Sequence, residues 1–538
     1  MNPALEKTFE VLQSTANEAA VGVLIPALDS PLQEIRDGAL RALLVRRSVT
    51  GLREVLNRWH TLDRRVKAIV SEYPGKMAQA LRDALLTEDQ QTCTNACQAV
   101  LWVREYHLMP ALITAMEAEG NPHSDLAART LLDLCQLLYE ELAAPRDYRN
   151  RRDPQLVRQH VITSLEESVT RYSKHRRKEV IEALALLVGR DNPTLNSILL
   201  NPHHGSYLAV VDVLSRSQRG GVIRLLLSFL DDPHSPSAAM TVLAHRSDRR
   251  FLEHLLRKIG ESPSDTARHN LKRIEIIPWA RQDAPLLDGL DDAAQHSAVQ
   301  LVMASGMKRL DAFLLIEHLL RHGKAGGRRA ACEALAQFAG ADANALALGA
   351  LNDPDPYVQA HAVRQLRPRG IPGVLPKLIE MIDSPHEPVR DAVRESLSEF
   401  NFRRYIGAFD MLDDDARIST GRLVRRLDPQ AIPLLLEELH SPVRGRRLRG
   451  LNVAAVIGAV PDIEDVLILL LSDEDHVIRT AAAQTLSQGE SFVSQVALEK
   501  AAVDDRSVAV KQAAQQSLRE RGHGFDSATE PLAQQGNP

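Results

Sequence analysis

Few residues in this chain are spaced for chemistry, and the clearest are thiols and histidines. Cys93 and Cys97 lie four apart, which puts both on one side of a helix and could supply two ligands to zinc. A tetrahedral site needs two more. Cys135 belongs to a separate helical stretch, and Cys332 is far along the chain. Cys93 also sits at an apolar position of the helical pattern, where a free cysteine acts as a small buried hydrophobe. His203 and His204 fall in an Asn-Pro-His-His-Gly turn with no carboxylate pattern beside them. No Gly-rich phosphate loop, zinc-protease helix or strand-turn-helix nucleophile occurs. The expectation is therefore no catalytic residue, no cofactor, no metal and no enzymatic activity.

Charge offers a second candidate. Segment 146–178 holds ten basic and four acidic residues, among them Arg149, Arg151, Arg152, Lys174, Arg176, Arg177 and Lys178. Such a patch attracts phosphate backbones through counterion release, or an acidic protein, or it is a solvated helix face. Those seven residues are the candidate partner-binding set. A shorter run, Arg444-Gly-Arg-Arg-Leu-Arg449, falls at a turn and helix start.

Composition narrows the classes. The net charge is −5 over 538 residues, so the whole chain is not a polycation made to coat nucleic acid. Aromatics are 4%, too few for a rich set of stacking platforms. Four cysteines cannot staple a chain this long, which excludes a disulfide-dense secreted scaffold. The first residues carry no apolar signal core. The longest apolar runs, such as Val466–Leu471, fall far short of the roughly 18 residues of a membrane helix. A cytoplasmic location and no membrane partner are expected. Arginine outnumbers lysine 53 to 12, the bias of a GC-rich, bacterial genome.

The elements that must carry these residues are helices. Apolar residues recur three, four and seven apart in stretches such as Val389–Phe400 and Ile478–Leu486, and sustained two-residue alternation is absent. One phrase returns. An apolar residue precedes an acidic or proline turn, a second apolar anchor follows seven places on, and a third lies eight beyond. It runs from Leu351 through Val358 to Leu366, and from Ile382 through Val389 to Leu397. It recurs from Leu471 through Ile478 to Leu486, from Val503 through Val510 to Leu518, and from Leu28 through Ile35 to Leu43. Anchors Val358, Val389, Ser419, Leu448, Ile478 and Val510 are 31, 30, 29, 30 and 32 apart, and Ile35, Val66 and Cys93 are 31 and 27 apart. A fixed period of this length marks an array of two-helix units.

This register resembles the HEAT repeat, including its short bacterial form. The resemblance covers 345–520 and 24–140 better than the stretch between. A detail shared with that family is an Asp five before the anchor and a basic residue just after it. Asp473 with Arg479 and Asp505 with Lys511 show both halves; Arg36, Lys67, Arg390 and Arg449 keep the basic half. The resemblance implies that such residues link neighbouring turns by ion pairs, so they are expected to be structural.

The resemblance also brings functions to weigh. HEAT-like DNA glycosylases bind DNA on a basic concave face, but no aromatic–acid constellation can be assigned here. Deoxyhypusine hydroxylase holds two irons with repeated His-Glu pairs; here one pair, His386-Glu387, falls in a turn before Pro388. Similarity to phycobilin lyase subunits is of the general repeat only.

The expected fold is all-α, a superhelical solenoid of about 15 stacked hairpins running on the order of 150 Å. Its expected parts are N-terminal repeats over 1–140, degenerate repeats over 141–344, regular repeats over 345–521 and a disordered tail over 522–538. The loss of period at 144–154 predicts an exposed loop over Arg146–Asp153, with helix returning over 156–188. The expected function is a scaffold or adaptor binding a protein or peptide on its concave surface. The alternative is a nucleic-acid-binding solenoid using 146–178, and an enzyme or lyase subunit comes third.

Overall fold

A computed structural model describes residues 3–87, 89–145, 153–281 and 285–526. The described residues form helices and turns and no strand. The chain divides into two compact units, Met1–Ala330 and Ala331–Pro538.

The second unit shows the repeat most plainly. Its hairpins pair Ala341–Gly349 with Pro356–Leu366, Val374–Glu380 with Glu387–Ser396, and Phe402–Ala408 with Asp414–Leu427. Next come Ala431–Leu439 with Arg444–Ile457, Glu464–Leu470 with His476–Thr485, and Phe492–Asp504 with Val508–Asp526. The inter-helix turns start each second helix by local chemistry. Asp355, Asp413 and Asp475 accept from the backbone N–H groups of Tyr357, Ala416 and Val477, the orphan donors of a helix start. Pro356 and Pro388 sit in the first turn, where a missing N–H costs nothing.

One hairpin leaves an apolar face that only its neighbours can cover. A single apolar cluster accordingly runs from Phe402, Tyr405 and Phe409 through Leu435, Leu451 and Leu467 to Ile478, Leu486, Leu498 and Ala514. Small residues such as Ala482 and Ala483 are fully buried where successive second helices meet. Anchors Val358, Val389, Ile478, Val510, Val66 and Cys93 are buried, while Ile35 and Leu448 are half-buried.

Ser419 is exposed, against its expected role as an anchor. Capping by Asp413 starts that helix early, so the position three past the cap is Ala416. Gly421, Val424 and Leu427 face the core instead. The next helix behaves likewise: its cap is Val443, and Leu451 rather than Leu448 is the fully buried leucine.

In the first unit one row of helices packs in sequence: Pro3–Ser14, Gln33–Arg46, Arg64–Ser71, Gln90–Val103, Ser124–Ala143, Lys178–Leu187, Gly220–Ser228, Arg249–Ile259 and Asp292–Ala304. A facing row begins Ala19–Ala27, Val49–Asn57, Ala78–Leu85, Met109–Glu117 and Pro154–Thr170. The order loosens where Pro193–Leu199 inserts and again at 272–281, which leaves the helical pattern. Helices Pro154–Thr170 and Lys178–Leu187 occupy the stretch expected to return to helix. The expected loop over 146–152 lies outside the described residues. At the other end, the last helix includes residues 522–526 of the segment expected to be disordered, and 527–538 lie outside the described residues.

Candidate partner-binding surface

Several of the described cations of the basic segment are already paired. Arg149, Arg151 and Arg152 lie outside the described residues. Lys174 and Arg176 are exposed at the end of Tyr172–His175, where Arg176 takes the left-handed conformation that closes the helix (φ 53°). Arg177 is occupied: Nη1 meets Asp125 at 2.5 Å and Nη2 donates to Ser124 Oγ at 2.6 Å. Lys178 Nζ lies 2.6 Å from Asp212, whose carboxyl is held below the usual carboxylate range by that hydrogen bond. Further in, Arg171 grips Glu117 with Nε and Nη2 at 3.0 and 3.1 Å. Arg158 turns inward to the Leu187 carbonyl at 2.8 Å, and burial lowers its pKa. Acids from neighbouring repeats, invisible in a local count of charge, pair with Arg171, Arg177 and Lys178.

The paired carboxylates and cations of the repeat form a regular device. The side chain one past each anchor reaches back to the carbonyls of its own inter-helix turn. Arg479 Nη1 donates to the carbonyls of Asp473 and Glu474 at 2.9 and 3.1 Å, and Arg447 Nη1 to those of Ser441 and Pro442 at the same distances. Arg390 does so to Ser384 at 2.8 Å, Arg36 to Ser30 at 2.7 Å, and Lys511 to Val503 at 2.7 Å. Gln359 takes the place of the cation in its repeat, donating to Asp353 at 2.7 Å. Arg417 does the same with Phe409 at 2.8 Å.

Two of the clasps also cross to the next repeat. Arg479 Nε and Nη2 bind the Asp505 carboxylate at 2.8 and 3.1 Å, and Arg447 lies 3.1 Å from that of Asp473. Asp473 therefore gives its carbonyl to Arg479 and its carboxylate to Arg447. The carboxylates of Asp505 and Asp473 also cap their own turns, through the N–H groups of Ser507 and Asp475.

Arg449 makes an ion pair with the turn of the preceding hairpin but does not make the carbonyl clasp. The early helix start places Arg447 there, and Arg449 projects outward to Asp410 at 2.9 Å. Arg417 and Gln359 went unread for related reasons. Arg417 follows the shifted Ala416 position, and Gln359 carries no charge, although both stand one past a cap-defined anchor.

The remaining sequence candidates are dispersed. All four cysteines are free and buried, and burial pushes the Cys332 thiol up to about 12 and raises Cys135 as well. Among the described residues, no group of three or more His, Cys, Asp or Glu side chains is placed to hold a metal ion. His204 Nδ1 accepts from the Ser206 N–H, His203 is exposed, and His386 stands just before the helix Glu387–Ser396 with no side-chain capping bond.

The exposed side of the second-helix row is mixed in character. In the second unit it carries Tyr357, the pair Arg364–Glu395 at 2.8 Å, the pair Asp391–Arg394 at 3.1 Å, Ile418, Asn452 and Gln484. No described helix is long and apolar enough to cross a membrane.

Comparison with known proteins finds a repeat family in one stretch of the chain. A family model described as HEAT repeats matches residues 314–398. That stretch is similar to the HEAT-repeat family, and the described residues on both sides of it are helical as well. No curated protein matches it. Among solved structures, importin beta crystallised in an ammonium sulfate condition is 13% identical over 98% of this chain and 72% of that one, with a TM-score of 0.26. Kap121p is 13% identical over 98% of this chain, with a TM-score of 0.30, and this chain covers 58% of it.

Proposed function

We propose that the chain is a HEAT-repeat scaffold or adaptor that binds a protein or peptide partner along the exposed side of its second-helix row, in the cytoplasm and without catalysis of its own. The observation that supports this most is the run of clasps. Arg390, Arg417, Arg447, Arg479 and Lys511 tie each second helix to its turn, and two of them tie it to the next repeat. Side chains on successive helices are then held at fixed spacing, as a rigid extended binding face requires. Nucleic acid is the weaker alternative, because Arg177 and Lys178 already spend their charge on Asp125 and Asp212.

Affinity purification of the full chain after nuclease treatment, followed by hydrogen exchange of the complex, tests the proposal. A stoichiometric protein that protects the second helices is expected. Loss of every partner on nuclease treatment would replace this reading with the nucleic-acid one, and protection confined to the first helices would overturn the assigned face.

A further inference from the structure

We infer that the outer face of the helix Phe492–Asp504 is a self-association surface, on which a second copy of this chain packs the same helix, parallel and in register. This face belongs to the first helix of its hairpin, so it stands apart from the second-helix surface proposed above for a partner.

The helix differs from the first helices before it. Those of the second unit span 7 to 9 residues, and this one spans 13. Ser491 starts it by accepting from the Ser494 N–H at 3.1 Å. Ser494, Leu498 and Ala502 face the rest of the fold and are buried. At about 100° per residue, Phe492, Val496 and Val503 fall on the opposite side. They are 77%, 45% and 71% exposed, with Val493 beside them at 62%.

An apolar stripe on that side sets this hairpin apart. Each of the four preceding first helices has a charged, exposed residue there: Glu380, Arg404, Glu437 and Asp465. The stripe does not run on along the last helix, which turns Gln512, Gln515, Gln516 and Arg519 to solvent.

Charge decides the occupant. Glu499 and Lys500 are exposed and interrupt the stripe, one on each side of the line through Phe492, Val496 and Val503. Glu499 accepts from Gln495 at 3.0 Å, and Lys500 has no ion-pair partner among the described residues. A purely apolar occupant would strip water from both charges and return nothing. A second copy brings the complementary pair. When two such helices meet about a two-fold axis parallel to their length, opposite flanks come together, and Glu499 of each copy faces Lys500 of the other. An axis across their length brings like flanks together, glutamate near glutamate and lysine near lysine. The charges therefore select the parallel arrangement, in which Phe492, Val496 and Val503 each meet their own counterparts.

The four apolar side chains expose on the order of 400 Å², about half of what one partner buries in a standard interface. The dimer is accordingly weak, with a dissociation constant of roughly micromolar size.

Sedimentation equilibrium of the full chain, from about 1 to 100 µM, tests it. A monomer–dimer equilibrium is expected. Phe492→Asp and Val496→Asp, both at exposed positions, should keep the parent melting curve and weaken association by at least about tenfold. Glu499→Lys and Lys500→Glu should each weaken it, and the double exchange should restore it, because the pair still meets across the axis. Phe492→Cys and Val503→Cys chains should each form a disulfide with their own kind under oxidation. Disulfides formed instead between the two variants would reverse the direction of pairing and overturn the proposal. A monomer at every concentration, or a dimer indifferent to Phe492→Asp, would overturn it too. Exchange protection of 492–503 in a monomer, lost on removing 527–538, would assign the stripe to the chain's own last residues instead. Each of those outcomes leaves the scaffold reading standing, since that reading concerns the other row of helices.

Discussion

Arg479 and Asp505, 26 residues apart, share two hydrogen bonds at 2.8 and 3.1 Å across the seam between successive repeats. Their side chains are only 4% and 9% exposed. The arginine's third terminal group satisfies its own turn, so one guanidinium fastens both a hairpin and its neighbour. Removing either partner leaves the other buried and short of hydrogen bonds.

Arg479→Ala should therefore destabilise the C-terminal repeats by about 2 kcal/mol, taking hydrogen bonds to charged groups as the guide. Hydrogen exchange should show the loss in 464–521 and little change before 330. Equal loss throughout the chain would contradict a seam-by-seam account.

The same pair sets an acid response. The Arg479 hydrogen bonds hold the Asp505 carboxyl below its ordinary value. A carboxylate with a lowered folded pKa stabilises fully above its unfolded value of about 3.9, and that stabilisation is lost as pH falls through the folded value. Asp505→Asn should flatten the decline in stability below about pH 4. Melting curves of both proteins from neutral to acid pH would show it, and parallel declines would refute it.

Arg447 and Arg449 stand two apart and should behave differently. Arg447 serves two turn carbonyls and Asp473, whereas Arg449 and Asp410 form a pair with side chains 43% and 67% exposed. Replacing Arg449 with Ala should cost about 0–1 kcal/mol, as exposed pairs do. Arg447→Ala should cost clearly more in the same denaturation experiment, and a reversed order would move the clasp back to Arg449.

Leu397 is 1% exposed and closes the hairpin Val374–Glu380 with Glu387–Ser396. Leu397→Ala should cost about 2–5 kcal/mol. Because each repeat touches only its neighbours, exchange should quicken most in the hairpins on either side. Uniform loss of protection over the chain would argue against that arrangement.

Lys174, Arg176 and Lys178 are exposed in the basic segment, and of these Lys178 is paired with Asp212. Reversing Lys174 and Arg176 to Glu should leave protein-partner affinity unchanged if they are a solvated face. Fluorescence anisotropy with duplex DNA over a salt series checks the rival reading. A steep loss of affinity with salt, relieved by the double reversal, would restore the nucleic-acid role.

What the sequence determined by itself is the repeating unit. Helix, turn and helix are decided within about thirty residues, by apolar spacing and by cap residues acting on the nearest N–H groups. Val358, Val389 and Ile478 were legible as core for that reason. Only the tertiary structure decided how units meet. Whether Arg447 or Arg449 closes a seam depends on where a helix starts relative to its neighbour. Whether Arg177 and Lys178 are free cations depends on Asp125 and Asp212, which lie 52 and 34 residues away. Periodicity is a short-range property, whereas pairing is a property of neighbours in space.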